Sequence, residues 1–237
     1  MKNIKKLIVE AIQKGLQDSR IEREQMRLEY NNHPWVMNYN YAFSGLHKLK
    51  NQNGLHVEKI RRHSYEMAVV YDENEKTLYT ICSDNKFYSL LKRKSIDKFH
   101  FTDAFCLSSS HEGNGVQTNM FGEEVEINTH ENLISLLQSL TAQFSNVYDI
   151  KEYCILVCKF NHKSGELYRI TGKYMCKNYQ VYKTDESWNE FILPDVEILD
   201  ESEDELVEKR PTYEIKIKSD VKFKQNEDIS KDQEKNS

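Results

Sequence analysis

An acid, a spacer and a lysine stand together at Asp84-Asn85-Lys86. Carboxylates bind Mg²⁺ in proteins, and a lysine beside them can orient the water molecule that attacks a phosphodiester. Such a site needs a second carboxylate close to the first. Asp72 and Glu66 precede the triple in the same stretch of chain, so their distances from Asp84 decide whether this chemistry is possible.

A β-hairpin is predicted to carry these acids, because two apolar strands flank a polar turn within residues 63–86. The strands take up residues 65–71 and 77–82. A turn centred on Asn74 and Glu75 pairs residues whose numbers add up to about 149.

The hairpin geometry distinguishes between the two acids. Asp72 lies at the tip, and Asp84 lies about eight residues beyond it, which is ~25 Å for a strand. This distance excludes Asp72, whereas Glu66 is expected opposite Ser83, beside Asp84. The candidate catalytic residues are therefore Glu66, Asp84 and Lys86, with Mg²⁺ as their cofactor. The alternative is that Glu66 only faces solvent and that Asp84 caps the following helix.

A basic stretch, residues 46–63, precedes the hairpin and contains five Lys and Arg against one Glu. It belongs to the more positive half of the chain, because residues 1–110 carry 18 Lys and Arg and 13 Asp and Glu, a net charge of +5. Grouped cations of this kind can contact phosphates, although a solvated charged face is the alternative. The predicted nucleic-acid contacts are Lys48, Lys50, Lys59, Arg61, Arg62 and His63.

The end of the chain changes character after Pro194. Residues 195–208 contain eight acids, and residues 212–224 alternate apolar and polar side chains. An extended peptide of this kind can add to a sheet edge of a partner protein while its acids meet basic groups. The alternative is a solvated, partly disordered linker whose strand closes the protein's own sheet. The predicted partner-binding residues are Val196, Ile198, Leu199, Tyr213, Ile215 and Ile217.

Hydropathy periods predict an α+β fold around these candidates. N-terminal helices precede a three-stranded antiparallel unit with a following helix, and a second helix then leads into a β-meander. We expect helices at about 3–29, 35–50, 85–93 and 130–144, and meander strands at 153–160, 166–176 and 179–183. Two lobes, 1–110 and 111–194, or one domain that combines them, are followed by the acidic tail 195–237.

Other chemistries lack their residue patterns. The five cysteines are odd in number and form no C-x-x-C, which is typical of reduced thiols in a cytoplasmic protein and predicts no metal site. The sequence has no glycine-rich phosphate loop and no apolar run that could span a membrane. We therefore expect a cytoplasmic protein without membrane contact, and without a cofactor unless it uses Mg²⁺. The oligomeric state stays open.

Two resemblances extend this interpretation. The order helix, three strands, helix, strand from residue 35 onward resembles the core of the PD-(D/E)xK nucleases, which place an acid on the second strand and acid-x-lysine on the third. The segments YDENEKTLYTICSDNKFYSLLKR (71–93) and YCILVCKFNHKSGELYRITG (153–172) together resemble an uncharacterised family of bacterial proteins that prophages often carry. The second resemblance implies a role in conflict between phage, plasmid and host.

The acidic tail, without a specific catalytic motif beside it, favours a binding function. We expect a non-enzymatic protein that binds a macromolecule, with a protein as its partner. It would act as an inhibitor or regulator in a bacterial mobile-element, toxin–antitoxin, phage-defence or counter-defence setting. A Mg²⁺-dependent nuclease is the first alternative, and a DNA-binding regulator that uses the basic stretch is the second.

Overall fold

The computed structural model describes residues 3–26, 34–92, 100–112, 131–161 and 164–194. Helices make up 42 % of this part and strands make up 30 %. Its helices are α1 (Ile4–Met26), α2 (Pro34–His47), α3 (Asp84–Leu91), α4 (Phe101–Cys106), α5 (Glu131–Thr141) and a 3-10 helix (Ser187–Phe191).

Within these described ranges, six strands form one mixed sheet in chain order. They are β1 (Leu55–Arg62), β2 (Tyr65–Asp72), β3 (Thr77–Ser83), β4 (Glu152–Phe160), β5 (Leu167–Met175) and β6 (Val181–Asp185). Neighbouring strands are antiparallel except β3 and β4, which are parallel and are joined by the long connection that contains α3, α4 and α5. Helices combined with this sheet confirm the α+β class. The sheet joins strands from both sides of the predicted lobe boundary at residues 110 and 111.

The strand β4 is apolar on both faces because helices cover both faces of the sheet. Its residues from Tyr153 to Cys158 are all buried. Tyr153 contacts Phe105 of α4, with ring centroids 5.6 Å apart. Phe160 contacts Tyr39 of α2, with ring centroids 5.3 Å apart. A strand buried on both sides needs a nearly continuous apolar run, which is the pattern of this segment.

The β2–β3 hairpin has the predicted register, because the numbers in each pair add up to 149. The pairs are Val70–Tyr79, Tyr71–Leu78 and Asp72–Thr77. The buried carboxylate of Asp72 fixes the turn, since its Oδ1 accepts hydrogen bonds from the backbone N–H groups of Asn74 at 2.9 Å and Glu75 at 3.4 Å. Asp72 is therefore a structural residue of the turn.

The helices α1 and α2 cross in close contact at two glycines. A Cβ atom at Gly15 would overlap the backbone carbonyl of Tyr41, and one at Gly45 would overlap the carbonyl oxygen of Ala11. Only glycine lets the two backbones approach this closely. The contact fixes the distance between the helices.

A buried hydrogen bond fixes how the same two helices are aligned. The hydroxyl of Ser19 donates to Oδ1 of Asn38 over 2.9 Å, and both residues are fully buried. Polar groups taken out of water need such partners, so this bond favours one alignment of α2 on α1. The alignment holds α2 beside the first two strands of the sheet.

Candidate ligand groove

A groove of about 540 Å³ lies between α2 and the first two strands. This volume is within the usual range of ligand sites in proteins. Its helix wall consists of Asn40, Phe43, Ser44, His47 and the adjoining Lys48. Its strand wall consists of Lys59, Glu66, Met67 and Ala68.

The two walls follow from the periods of their elements. The four helix-wall residues within α2 have the spacing i, i+3, i+4 and i+7, which places them on one side of the helix. Between β1 and β2, Lys59 pairs with Ala68, and Arg61 pairs with Glu66. Residues that pair directly point to the same face of a sheet, so Lys59, Arg61 and Glu66 share one face.

The groove has an apolar floor and a polar rim. Phe43, Met67 and Ala68 form the floor, and none of them is more than 8 % exposed. The other six lining residues are all exposed. A ligand in the groove would therefore cover apolar side chains at the centre and meet polar groups at the margin.

An ion pair joins Glu66 to Lys59 on the strand wall. Glu66 Oε2 lies 2.7 Å from Lys59 Nζ. The hydrogen bond from Lys59, with the positive charges of Lys59 and Arg61, holds the pKa of the Glu66 carboxyl below its usual value. The side chains of Lys59 and Glu66 are 62 % and 47 % exposed, so a carboxylate from outside can reach the lysine.

The other two residues of the predicted catalytic set lie in α3. Ser83 is the N-cap of this helix, because its Oγ accepts a hydrogen bond from the backbone N–H of Lys86 at 3.2 Å. The expectation that Asp84 is the cap is therefore wrong by one residue. Asp84 occupies the first turn, where a carboxylate stabilises the positive end of the helix dipole. Lys86 is exposed on the helix.

Glu66 belongs to a part of β2 that lies beyond its pairing with β3. In the described residues, that pairing joins 70–72 to 77–79. Extending the register puts Glu66 on the face of Ser83, and Asp84 follows on the opposite face. Across the described ranges, no three His, Cys, Asp or Glu side chains are grouped as a potential metal site.

Three of the six predicted nucleic-acid contacts are paired with carboxylates of this chain. Besides Lys59, Lys48 Nζ lies 3.4 Å from Asp18 Oδ2, and Lys50 Nζ lies 3.9 Å from Glu58 Oε2. These pairs cancel part of the positive charge that the sequence concentrates in residues 46–63.

The remaining three predicted contacts lie at the tip of the β1–β2 hairpin. Arg61 Nε donates to the carbonyl oxygen of His63 at 3.0 Å, and His63 is exposed with a φ of 54°. Arg62 is half-buried. The Gln143 amide accepts from the Arg61 backbone N–H at 2.7 Å and donates to its carbonyl at 3.1 Å. The Gln143 side chain thereby makes hydrogen bonds to the Arg61 backbone on the edge strand β1, as a neighbouring strand would.

Glu58 precedes Lys59 in β1, so its side chain lies on the opposite face of the sheet from the groove. From that face it anchors the strand wall. Its Oε1 accepts hydrogen bonds from the backbone N–H and hydroxyl of Ser145 and, at 2.6 Å, from the Tyr148 hydroxyl. Burial opposes ionisation of Glu58, but these bonds and the charge of Lys50 hold its pKa below the usual value. Burial and the Glu58 carboxylate raise the pKa of Tyr148 to about 12.

Sequence reasoning found Lys48, Lys59 and Glu66 but missed the other six lining residues. A signal was present in α2, where Asn40, Ser44 and His47 are polar at helical spacing on one side of the helix. Tertiary packing decides which strand this side of α2 approaches. The residue spacing alone does not predict that packing.

The predicted partner-binding residues lie outside the described residues. These are Val196, Ile198, Leu199, Tyr213, Ile215 and Ile217. In the part of the chain that the structure describes, no helix combines the length and apolar composition that crossing a membrane requires.

Comparison with known proteins identifies a family. No curated protein and no solved structure matches the chain. Residues 1–234 match the model of a family described as "Family of unknown function (DUF5986)". The expected membership of an uncharacterised family is thereby confirmed, while a bacterial or prophage origin stays a prediction. Because the match covers nearly the whole chain, the protein belongs to the DUF5986 family.

Proposed function

We propose that this protein is a non-enzymatic macromolecule-binding protein that inhibits or regulates a protein partner, and that the groove beside α2 is its docking surface. The supporting observation is the composition of the groove, where buried Phe43, Met67 and Ala68 lie beneath an exposed polar rim. Protein interfaces combine an apolar centre with a polar margin, and a side chain that enters such a centre contributes most of the binding energy.

The charges around the groove favour a protein partner over a nucleic acid. Binding to nucleic acid depends on cations that replace the counterions of the phosphates. Lys48, Lys50 and Lys59 each lie beside a carboxylate of this chain, which weakens the attraction of a polyanion. A rim that carries both signs of charge instead suits a protein surface with the complementary arrangement.

The proposed setting is a bacterial cytoplasm in which mobile elements and their host compete. The resemblance of residues 71–93 and 153–172 to prophage-borne proteins supports a role in toxin–antitoxin action, phage defence or counter-defence. All five cysteines are free and buried, which suits a reducing compartment. In such a setting a binding protein inhibits its partner by covering the partner's active site or interaction surface.

A matched pair of tryptophan variants tests the groove. Ser44 is exposed on the helix wall, so Ser44→Trp fills the groove without entering the core. Ser135 is exposed on α5 and serves as the control in Ser135→Trp. Tagged full-length proteins are used to capture partners from source cells. We expect the wild type and Ser135→Trp to retain one defined protein that Ser44→Trp loses. Equal capture by all three would contradict docking in the groove.

The predicted tail contact is tested in the same assay. A full-length variant carries serine at Val196, Ile198 and Leu199, which removes the apolar part of the predicted partner-binding set. Reduced capture of the protein that the groove retains would assign the tail a role in binding. Unchanged capture would remove these three residues from the partner-binding set.

A Mg²⁺-dependent nuclease is the second candidate function, and the order of the elements favours it. The sequence α2, β1, β2, β3, α3 and, later, β4 beside β3 is the order on which the PD-(D/E)xK resemblance rests. Purified protein is incubated with plasmid, linear DNA and RNA in Mg²⁺ or Mn²⁺. Cleavage that Glu66→Ala and Asp84→Ala abolish would support this function and would make the protein an enzyme. Binding without cleavage in a salt-dependent gel shift would support a DNA-binding regulator.

A further inference from the structure

We infer that the segment of the partner that enters the groove is acidic and carries at least one large apolar side chain. This inference rests on the proposed docking function and adds the chemistry of the partner. Three features of the groove carry it: the floor, the lysine on each wall, and the position of Glu66.

The floor calls for an apolar side chain. Phe43 presents an aromatic ring, and Ala68, on the same sheet face as Lys59 and Glu66, leaves room between the walls because its side chain is a single methyl group. A leucine or an aromatic residue of the partner would cover these two residues and would remove their remaining surface from water.

The rim favours carboxylates on the partner, because each wall of the groove carries one lysine. Lys48 on the helix wall and Lys59 on the strand wall are 67 % and 62 % exposed. An ammonium group has three donors. Among the described residues, each of these two has one acidic neighbour, Asp18 at 3.4 Å and Glu66 at 2.7 Å. Donors are therefore left on both walls for carboxylates that arrive with the partner.

Glu66 sets the selectivity of the rim. It is the one acidic residue among the described residues that line the groove, and the positive charges of Lys59 and Arg61 both act on it. An acidic partner has to share Lys59 with Glu66 but is attracted by Lys48 and Arg61 as well. A basic partner would meet three cations against two carboxylates, Glu66 and the less exposed Asp18. The balance of charge therefore favours the acidic partner, and Glu66 limits its affinity.

Selection from a phage-displayed library of random dodecapeptides tests this inference. The full-length protein is the target, and Ser44→Trp is used for counter-selection, so that retained peptides depend on an open groove. We expect the retained peptides to be enriched in Asp and Glu and to contain a Leu, Met or aromatic residue. Enrichment of basic peptides, or of peptides with no charge preference, would overturn the inference.

Affinities of the retained peptides, measured by fluorescence anisotropy, test the individual residues. Lys59→Gln is expected to weaken binding about tenfold or more, because a hydrogen bond to a charged group is lost. Glu66→Gln is expected to strengthen binding severalfold. Lys151→Gln is the control, since Lys151 is a similarly exposed lysine, 2.9 Å from Asp149 and not part of the groove. A Glu66→Gln variant that binds no more tightly than the wild type would contradict the role of Glu66.

The outcomes separate this inference from the function on which it rests. Peptides that lack acidic residues but still depend on the open groove would leave the docking function in place and overturn the acidic chemistry. Peptides that bind Ser44→Trp as well as the wild type, or the absence of any retained peptide, would overturn both.

Discussion

The two flanks of α2 meet their neighbours in opposite ways. Toward α1, Gly45 allows backbone contact and Asn38 makes a buried hydrogen bond. Toward the strands, Ser44 and His47 are exposed and line an open groove. At ~100° per residue the mean directions of these two pairs of side chains are about 140° apart around the helix axis. One short helix therefore has a closed flank and an open flank.

The difference shows how the fold can keep an open groove without losing stability. The closed flank fixes the position of α2 through small residues and one satisfied polar pair, so the open flank does not need to pack. Phe43 can then lie partly beneath the groove while its surroundings stay accessible. The comparison predicts that substitutions on the closed flank change stability, and that substitutions on the open flank change binding.

The largest effect is expected from Gly45→Leu. The new side chain would overlap the carbonyl oxygen of Ala11, which is backbone and cannot rotate away. Overpacking commonly costs 1–3 kcal/mol, and we expect the loss in free energy of unfolding to reach about 3 kcal/mol here. Urea denaturation measures it. Ser44→Leu, one residue away on the open flank, is the control and should stay within about 0.5 kcal/mol of the wild type. Equal stability of the two variants would show that α1 and α2 are not in backbone contact.

The next effect is expected from Ser19→Ala, which removes the hydroxyl that donates to Asn38. The bond is fully buried, so we expect a loss of about 1–3 kcal/mol in the free energy of unfolding. The control is Ser44→Ala, because that hydroxyl donates to the carbonyl oxygen of Asn40 at an exposed position. A loss in Ser44→Ala as large as that in Ser19→Ala would remove the distinction between the flanks.

Much of the fold was predictable because it rests on local patterns. The turn around Asn74 and Glu75 fixed the β2–β3 register by counting, and the apolar run of β4 indicated a strand covered on both sides. The crossing of α1 and α2 was not predictable in this way. It depends on Gly15 and Gly45, which are far apart in the chain and meet only after folding.

The candidate site was predictable only in part, because Glu66 belongs to two hairpins and, in the described residues, only the β1–β2 pairing extends to it. Counting across β2 and β3 sets Glu66 opposite Ser83, but the strands are not paired there in the described residues. The β1–β2 hairpin turns within His63 and Ser64, so the same counting places Glu66 opposite Arg61 and diagonal to Lys59. The β1–β2 register can be predicted from the sequence if β1 is taken to continue up to the turn at His63 and Ser64.

A smaller, pH-dependent effect is expected at Glu58, which holds the strand wall of the groove. Its pKa is lowered in the folded protein, so its contribution to stability is complete above the pKa of the unfolded chain and is lost as the pH falls through the folded value. Glu58→Gln should therefore cost about 1–2 kcal/mol in free energy of unfolding near pH 7, and less at pH 3. Urea denaturation at both pH values measures this. A difference from the wild type that does not shrink at pH 3 would rule out the carboxylate as the cause.

The smallest effect on stability is expected from Glu66→Gln on the strand wall, which faces the open flank of α2. The ion pair with Lys59 is exposed and screened by solvent, so its loss should leave the urea midpoint unchanged at both low and high salt. The same substitution is the one expected to strengthen the binding of acidic peptides, so stability and binding respond separately to a single change. Urea denaturation in 0.05 M and 0.5 M NaCl measures the first response. A midpoint lowered as far as in Ser19→Ala would mean that the rim of the groove supports the fold, and would contradict the separation of stability from binding.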